Sequence, residues 1–160
     1  MIIDNTQDFF GKPLKNIDTI YSPRKFFGVS DGGYLYANHL LEGLLPCDES
    51  YIHSVQLLGR ADKEASLFYN EYKKAEQRLI NQPIKKMSNL TNKILSSIDY
   101  ESIKQKRKEN FEYLHNELKE INLLENIDIK STPFIYPFMS NDLQLREKLI
   151  KKKIYIAKYW

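Results

Sequence analysis

Apolar residues in the first sixty positions come in short clusters separated by turn formers, whereas later ones recur at helical spacing. The early clusters predict strands over Met1–Ile3, Thr19–Tyr21, Phe26–Val29 and Tyr34–Ala37. Asp31-Gly32-Gly33 precedes the last of them. Glycine tolerates positive φ, so this triplet predicts a tight reversal. From Asp62 to Asn81 the pattern changes. Ala65, Phe68, Tyr72, Ala75 and Leu79 recur every three or four residues, which is one face of a helix. That stripe should be more buried than Lys63, Asn70, Lys74 and Gln77. Gln82-Pro83 ends it, because proline cannot continue a helix. A shorter helix is predicted over Lys86–Ser97. Asp99 reads as the N-cap of a long helix, Tyr100–Glu120, with Ile103, Arg107, Phe111, Leu114, Leu118 and Ile121 along one face. Phe134–Phe138 then reads as a strand, Asn141 and Gln144 as a capping box opening a helix over Asp142–Lys152, and Ile154–Trp160 as a closing strand.

The succession of strands, helices and strands predicts an α/β fold. Three regions follow: residues 1–60 as part of a large sheet domain, 61–98 as a helical connection, and 99–160 as a small C-terminal α/β domain. All six glycines fall within residues 1–60, which supports the first boundary.

Composition narrows the class. Apolar residues make up 42% and charged residues 28%, as in a soluble globular chain rather than a disordered one. The net charge of +3 is too small to argue for nucleic acid. The runs Lys104–Lys108 and Lys151–Lys153 read as solvated helix faces, although a basic module for RNA or an acidic protein is a rival. The single cysteine, Cys47, cannot form an internal disulfide and fits a reducing cytoplasm. No signal peptide is visible, and no apolar run approaches the roughly 18 residues of a membrane span.

Two segments carry chemistry. In the first, Lys25 sits between Ser22-Pro23-Arg24 and the pair Phe26-Phe27. Apolar neighbours would desolvate its amine, and Arg24 would repel its charge; both favour a neutral, nucleophilic lysine. An ordinary loop lysine remains the alternative. In the second, Ile2-Ile3 runs into Asp4-Asn5-Thr6-Gln7, a buried strand ending in polar groups. Ligands of open α/β sheets bind just beyond strand carboxyl ends, which is where Asp4 falls. A simple turn cap by Asp4 or Asn5 remains open as well.

Together these segments, IIDNTQDFF and YSPRKFFGVSDGGYL, resemble the cofactor-binding stretch of fold-type-I pyridoxal 5'-phosphate (PLP) enzymes. The similarity is to the sugar-aminotransferase (DegT/StrS-like) family, and it continues through the helices to the C-terminal strand. It rests on Arg-Lys-Phe-Phe-Gly-x-x-Asp-Gly-Gly (Arg24–Gly33) together with the upstream Asp4. The resemblance implies that Lys25 is the catalytic lysine, forming a Schiff base with PLP and moving the substrate proton. It implies that Asp4 pairs with the pyridine nitrogen, Gln7 lies beside the ring and Ser22 binds the phosphate. Asp31, Gly32 and Gly33 would shape the following turn. No metal ligand is implied.

The implied reaction transfers an amino group from an amino acid to a keto acceptor, such as a nucleotide-linked keto sugar. A homodimer is implied, with small-molecule substrates and no nucleic-acid or membrane partner. Family members are longer, so the chain resembles one truncated at both ends. Alone it is expected to be a poor aminotransferase, with Ser22 its one phosphate anchor. The competing expectation is a non-catalytic remnant or oligomeric scaffold that binds no cofactor.

Overall fold

Ile2–Asp4 (β1) and Asp18–Tyr21 (β2) pair in parallel, and Tyr34–Tyr36 (β3) adds to β2 antiparallel, giving the order β1-β2-β3. The computed structural model describes residues 1–39, 43–129 and 131–159. Among them the chain is mixed α/β, with this sheet and five α-helices. Opposed residues share a sheet face. Ile3, Thr19 and Tyr36 therefore lie on one side, and Asp4, Ile20 and Leu35 on the other. The first side holds the buried Thr19, whereas Ile20 and Leu35 stay exposed. The crossover 5–17 contains no helix or strand and is tied back where the Tyr21 hydroxyl donates to the Gly11 carbonyl at 3.0 Å.

The strand expected over Phe26–Val29 does not form. Pro23 opens a single 3₁₀ turn, Pro23–Lys25, and its carbonyl accepts the amides of both Phe26 and Phe27, at 3.0 and 2.9 Å. Backbone donors used in a local turn are lost to a ladder. The apolar residues are buried nonetheless. Phe27 and Val29 belong to the core, and the Phe27 ring packs on Phe9 and Tyr100.

The helix expected over Asp62–Asn81 starts later and is shorter, and a separate helix precedes it. Val55–Asp62 (α1) ends at Lys63, whose extended backbone (φ −141°, ψ 172°) breaks the hydrogen-bond ladder. A 3₁₀ turn, Ala65–Phe68, then leads into Tyr69–Arg78 (α2). Close approach explains the glycine in α1: a Cβ at Gly59 would stand 2.2 Å from the Phe68 ring. The stripe is buried only in part, its first two positions lying in the 3₁₀ turn rather than in α2. Ala75 is buried, Phe68 and Leu79 are half-buried, and Ala65 and Tyr72 are exposed, as are Lys63, Asn70, Lys74 and Gln77.

Asn89–Ser96 (α3) starts later than the expected Lys86, because Lys86 bridges to Cys47 instead, donating its amide to the Pro46 carbonyl at 2.8 Å. The long helix Tyr100–Leu118 (α4) begins as expected, with Asp99 Oδ1 accepting the Ser102 amide at 3.0 Å. Leu145–Lys151 (α5) replaces the expected Asp142–Lys152. No Asn141–Gln144 capping box forms; Asp142 accepts the Gln144 amide at 3.0 Å and the Lys148 ammonium at 2.7 Å.

Two compact units result, Met1–Ser102 and Ile103–Trp160. The expected region boundaries at residues 60 and 98 both fall inside the first unit. In the second, Phe111 is buried and packs on Tyr136 at 5.1 Å. The strand expected at Phe134–Phe138 is irregular: the carbonyls of Pro133 and Phe134 accept from Arg107, and that of Pro137 accepts from Asn122. Residues 154–159 likewise form no strand, and Trp160 lies outside the described residues.

In the first unit Asp48 joins the loop before α1 to the end of α2. Its carboxylate accepts from Arg78 at 3.0 Å and Lys85 at 3.1 Å. Burial alone would raise its pKa. The Lys85 and Arg78 bonds and the Glu49 amide outweigh that and hold it below the ordinary carboxylate value. A depressed carboxylate stabilises the fold above its unfolded pKa, about 3.9, and that contribution fades as pH falls through the lower folded value. Acid titration of wild type and Asp48→Asn, followed by circular dichroism, should therefore show a smaller stability difference below roughly pH 4 than at pH 7. An unchanged difference would remove the assignment.

Candidate functional site

Parallel pairing brings the carboxyl ends of β1 and β2 to the same edge of the sheet. Asp4 stands opposite Ile20, and the Asn5 amide donates to the Ile20 carbonyl at 2.9 Å. Asp4 is exposed, and its Oδ1 accepts the Thr6 amide at 2.9 Å. Its pKa is lowered, first by that amide and then by the Thr6 side chain; slight desolvation opposes, and the Lys25 charge adds to the lowering. The turn-cap reading of Asp4 is thus realised, and it leaves the carboxylate ionised in solvent. Gln7, in the turn just beyond, is exposed as well.

At the end of β2, Ser22 is extended, and Pro23 turns the chain so that Arg24 and Lys25 occupy a single 3₁₀ turn. The expected apolar enclosure of Lys25 is not formed. Phe27 turns into a ring cluster with Phe9, Phe10 and Tyr100, and Lys25 itself is exposed. Arg24 is engaged elsewhere: its Nη2 pairs with Glu76 of α2, which fixes the lysine turn against that helix.

Ser22, Arg24 and Lys25 line a cavity of about 280 Å³ whose far wall comes from α1 and α2, including Gln56, Arg60 and Glu76. Of the sequence-derived residues, Ser22 and Lys25 line this space, and Asp4 and Gln7 do not. Asp4 is nevertheless close enough for its charge to interact with that of Lys25. The α1 and α2 residues escaped sequence reading because a helical glutamine or arginine reads as solvated surface. Gln56, though polar, is only 6% exposed.

The Asp31-Gly32-Gly33 turn is tied to α3 through Asp31, which is 4% exposed. Its Oδ2 accepts the Ser88 amide at 2.7 Å, and its Oδ1 accepts the Ser88 hydroxyl at 2.9 Å and the Thr91 hydroxyl. Ser88 caps α3 by accepting the Thr91 amide, and its hydroxyl meets that of Ser50 at 2.7 Å. Gly32, next to Asp31, has φ +99°, and a Cβ there would lie 2.9 Å from Met87 Cε. Shaping of this turn was legible in Asp-Gly-Gly; the capping of a helix 57 residues downstream was not. Comparison with known protein families, curated proteins and solved structures finds no match for this chain.

Proposed function

We propose that this chain is the lysine-bearing part of a PLP-dependent aminotransferase of the sugar-aminotransferase type, moving an amino group from an amino acid to a keto acceptor such as a nucleotide-linked keto sugar. In this reading residues 1–60 belong to a PLP-transferase large-domain sheet, and residues 99–160 to its small domain. The observation that carries it is the placement of Asp4 and Lys25 at the neighbouring carboxyl ends of two parallel strands, with interacting charges. Strand carboxyl ends are where open α/β sheets hold ligands.

Of the residues such a cofactor would use, Ser22 and Lys25 line one cavity, whereas Asp4 and Gln7 lie outside it, near the adjoining strand end. Ser22 offers a hydroxyl to the phosphate, and Gln7 an amide beside the ring. When bound, PLP would supply an electron sink for the substrate carbanion. Asp4, kept ionised by the Thr6 amide, suits a protonated ring nitrogen. The exposed Lys25 amine is free to reach the cofactor carbonyl and to carry a proton to or from the substrate carbon. Exposed apolar side chains such as Ile2, Leu35, Leu58 and Leu67 support a homodimeric assembly.

PLP added to the wild-type chain is expected to give a visible absorbance band that is missing in Lys25→Ala. After borohydride reduction, mass spectrometry should place the added mass at Lys25. Equal labelling of other lysines in both proteins, with no Lys25-dependent band, would favour the cofactor-free remnant instead.

A further inference from the structure

Two buried polar atoms on the lining of the cavity have no partner, one on the wall opposite Lys25 and one beside it. Gln56 on α1 is 6% exposed, and its Oε1 accepts no hydrogen bond. Arg24 Nε is buried and has no acceptor. Both residues line the same space. Folded proteins leave few such groups, because each forfeits its hydration without compensation. These two, a donor and an acceptor, line one cavity, where a single ligand could satisfy both.

The charges say what kind. Arg24, Lys25 and Arg60 line the space against a single carboxylate, Glu76. Glu76 already holds Arg24 through Nη2, so the cationic excess resides on Lys25, Arg60 and the remaining edge of Arg24. The Arg60 guanidinium carbon stands 5.8 Å from the centre of the Tyr72 ring. An aromatic contact of this kind takes up none of the guanidinium N–H donors, so they remain for an oxyanion. An anion alone would not satisfy Gln56 Oε1, which needs a donor. A hydroxyl next to the anionic group supplies one.

We propose that this cavity binds a small hydroxylated anion, its oxyanion held by Arg60 and Arg24 Nε and its hydroxyl donating to Gln56 Oε1. The oxyanion is a carboxylate or a phosphate ester; both present the acceptors that a guanidinium edge recognises. The site shares Lys25 and Ser22 with the cofactor reading but does not rest on it, and it requires no PLP.

The test is calorimetric titration of the whole chain, without PLP, using glycerate and glycerol 3-phosphate as hydroxylated probes, and acetate and inorganic phosphate as plain ones. Saturable binding is expected, with the tighter hydroxylated probe identifying the oxyanion. The hydroxyl should improve affinity about fivefold over the matching plain anion, the effect of one neutral hydrogen bond. Arg60→Gln, at an exposed position, should weaken binding at least about tenfold through loss of a charge-assisted bond. Gln56→Met should keep anion binding and lose the preference for the hydroxyl, with circular dichroism confirming the fold. No saturable binding, equal affinity for hydroxylated and plain anions, or an unaffected Arg60→Gln would each overturn the proposal. So would binding that Ser22→Ala removes and Arg60→Gln leaves intact, because that pattern belongs to a cofactor-phosphate anchor.

Discussion

Replacing Asp31 with alanine is expected to cost about 4 kcal/mol or more, from the loss of hydrogen bonds to a buried carboxylate. The substitution strands the Ser88 amide and the Thr91 hydroxyl at the start of α3 and leaves the Ser88 hydroxyl, as a donor, only its contact with Ser50. Ser88 and Thr91 are themselves buried, so water cannot replace the lost acceptor. Domains of this size hold about 5–15 kcal/mol in total, so the variant should sit near the edge of folding. Asp31→Asn keeps one acceptor oxygen and should lose less. Urea unfolding followed by circular dichroism reads both as midpoint shifts. A loss under about 1 kcal/mol for Asp31→Ala, the size of one neutral hydrogen bond, would mean that the carboxylate is not enclosed as described.

Phe27→Ala should be comparably severe, at about 3–5 kcal/mol, the usual range for a buried phenylalanine. The ring sits 4.9 Å from Phe9, 5.5 Å from Tyr100 and 6.2 Å from Phe10, edge-on to each. Edge-on pairs add to the plain burial of area. Phe26 is only half-buried, so Phe26→Ala should cost less. Because both follow Lys25, loss of the cluster should also speed amide exchange at Phe26 and Phe27, whose donors close the lysine turn. Equal unfolding midpoints for the two variants would contradict the central place given to Phe27.

Local signals in the sequence held at some element starts and failed at another, where the expected Asn141–Gln144 capping box does not form. Asp99 announced the start of α4, and Asp-Gly-Gly announced the turn before β3. Helical spacing misled where the chain needed a bend. The stripe from Ala65 to Leu79 reads as one helix, but its first two positions, Ala65 and Phe68, lie in a 3₁₀ turn where Phe68 packs back on Gly59, a contact no periodicity reveals. Phe26–Val29 looked like a strand because buried loops and buried strands share composition; Pro23 decided otherwise. At the candidate site, Lys25 and Ser22, which line the cavity, were legible because they lie in one short segment; Asp4, read with them, lies outside it. Glu76, Gln56 and Arg60 were not legible, since their roles depend on α1 and α2 folding back over the lysine turn.

The bond from Thr91 to Asp31 spans 60 residues of chain. Ribosomes emit about 5–20 residues per second, so Asp31 waits about 3–12 s for its partner to be made. For the first three-quarters of that interval the Lys25 turn has its local proline bend and its neighbouring rings but not Glu76, and the α3 cap comes only at its end. The turn is therefore among the last parts of the unit to be locked, and a nascent chain that stalls before α3 would display its short strands to the chaperones that guard unfinished sheets.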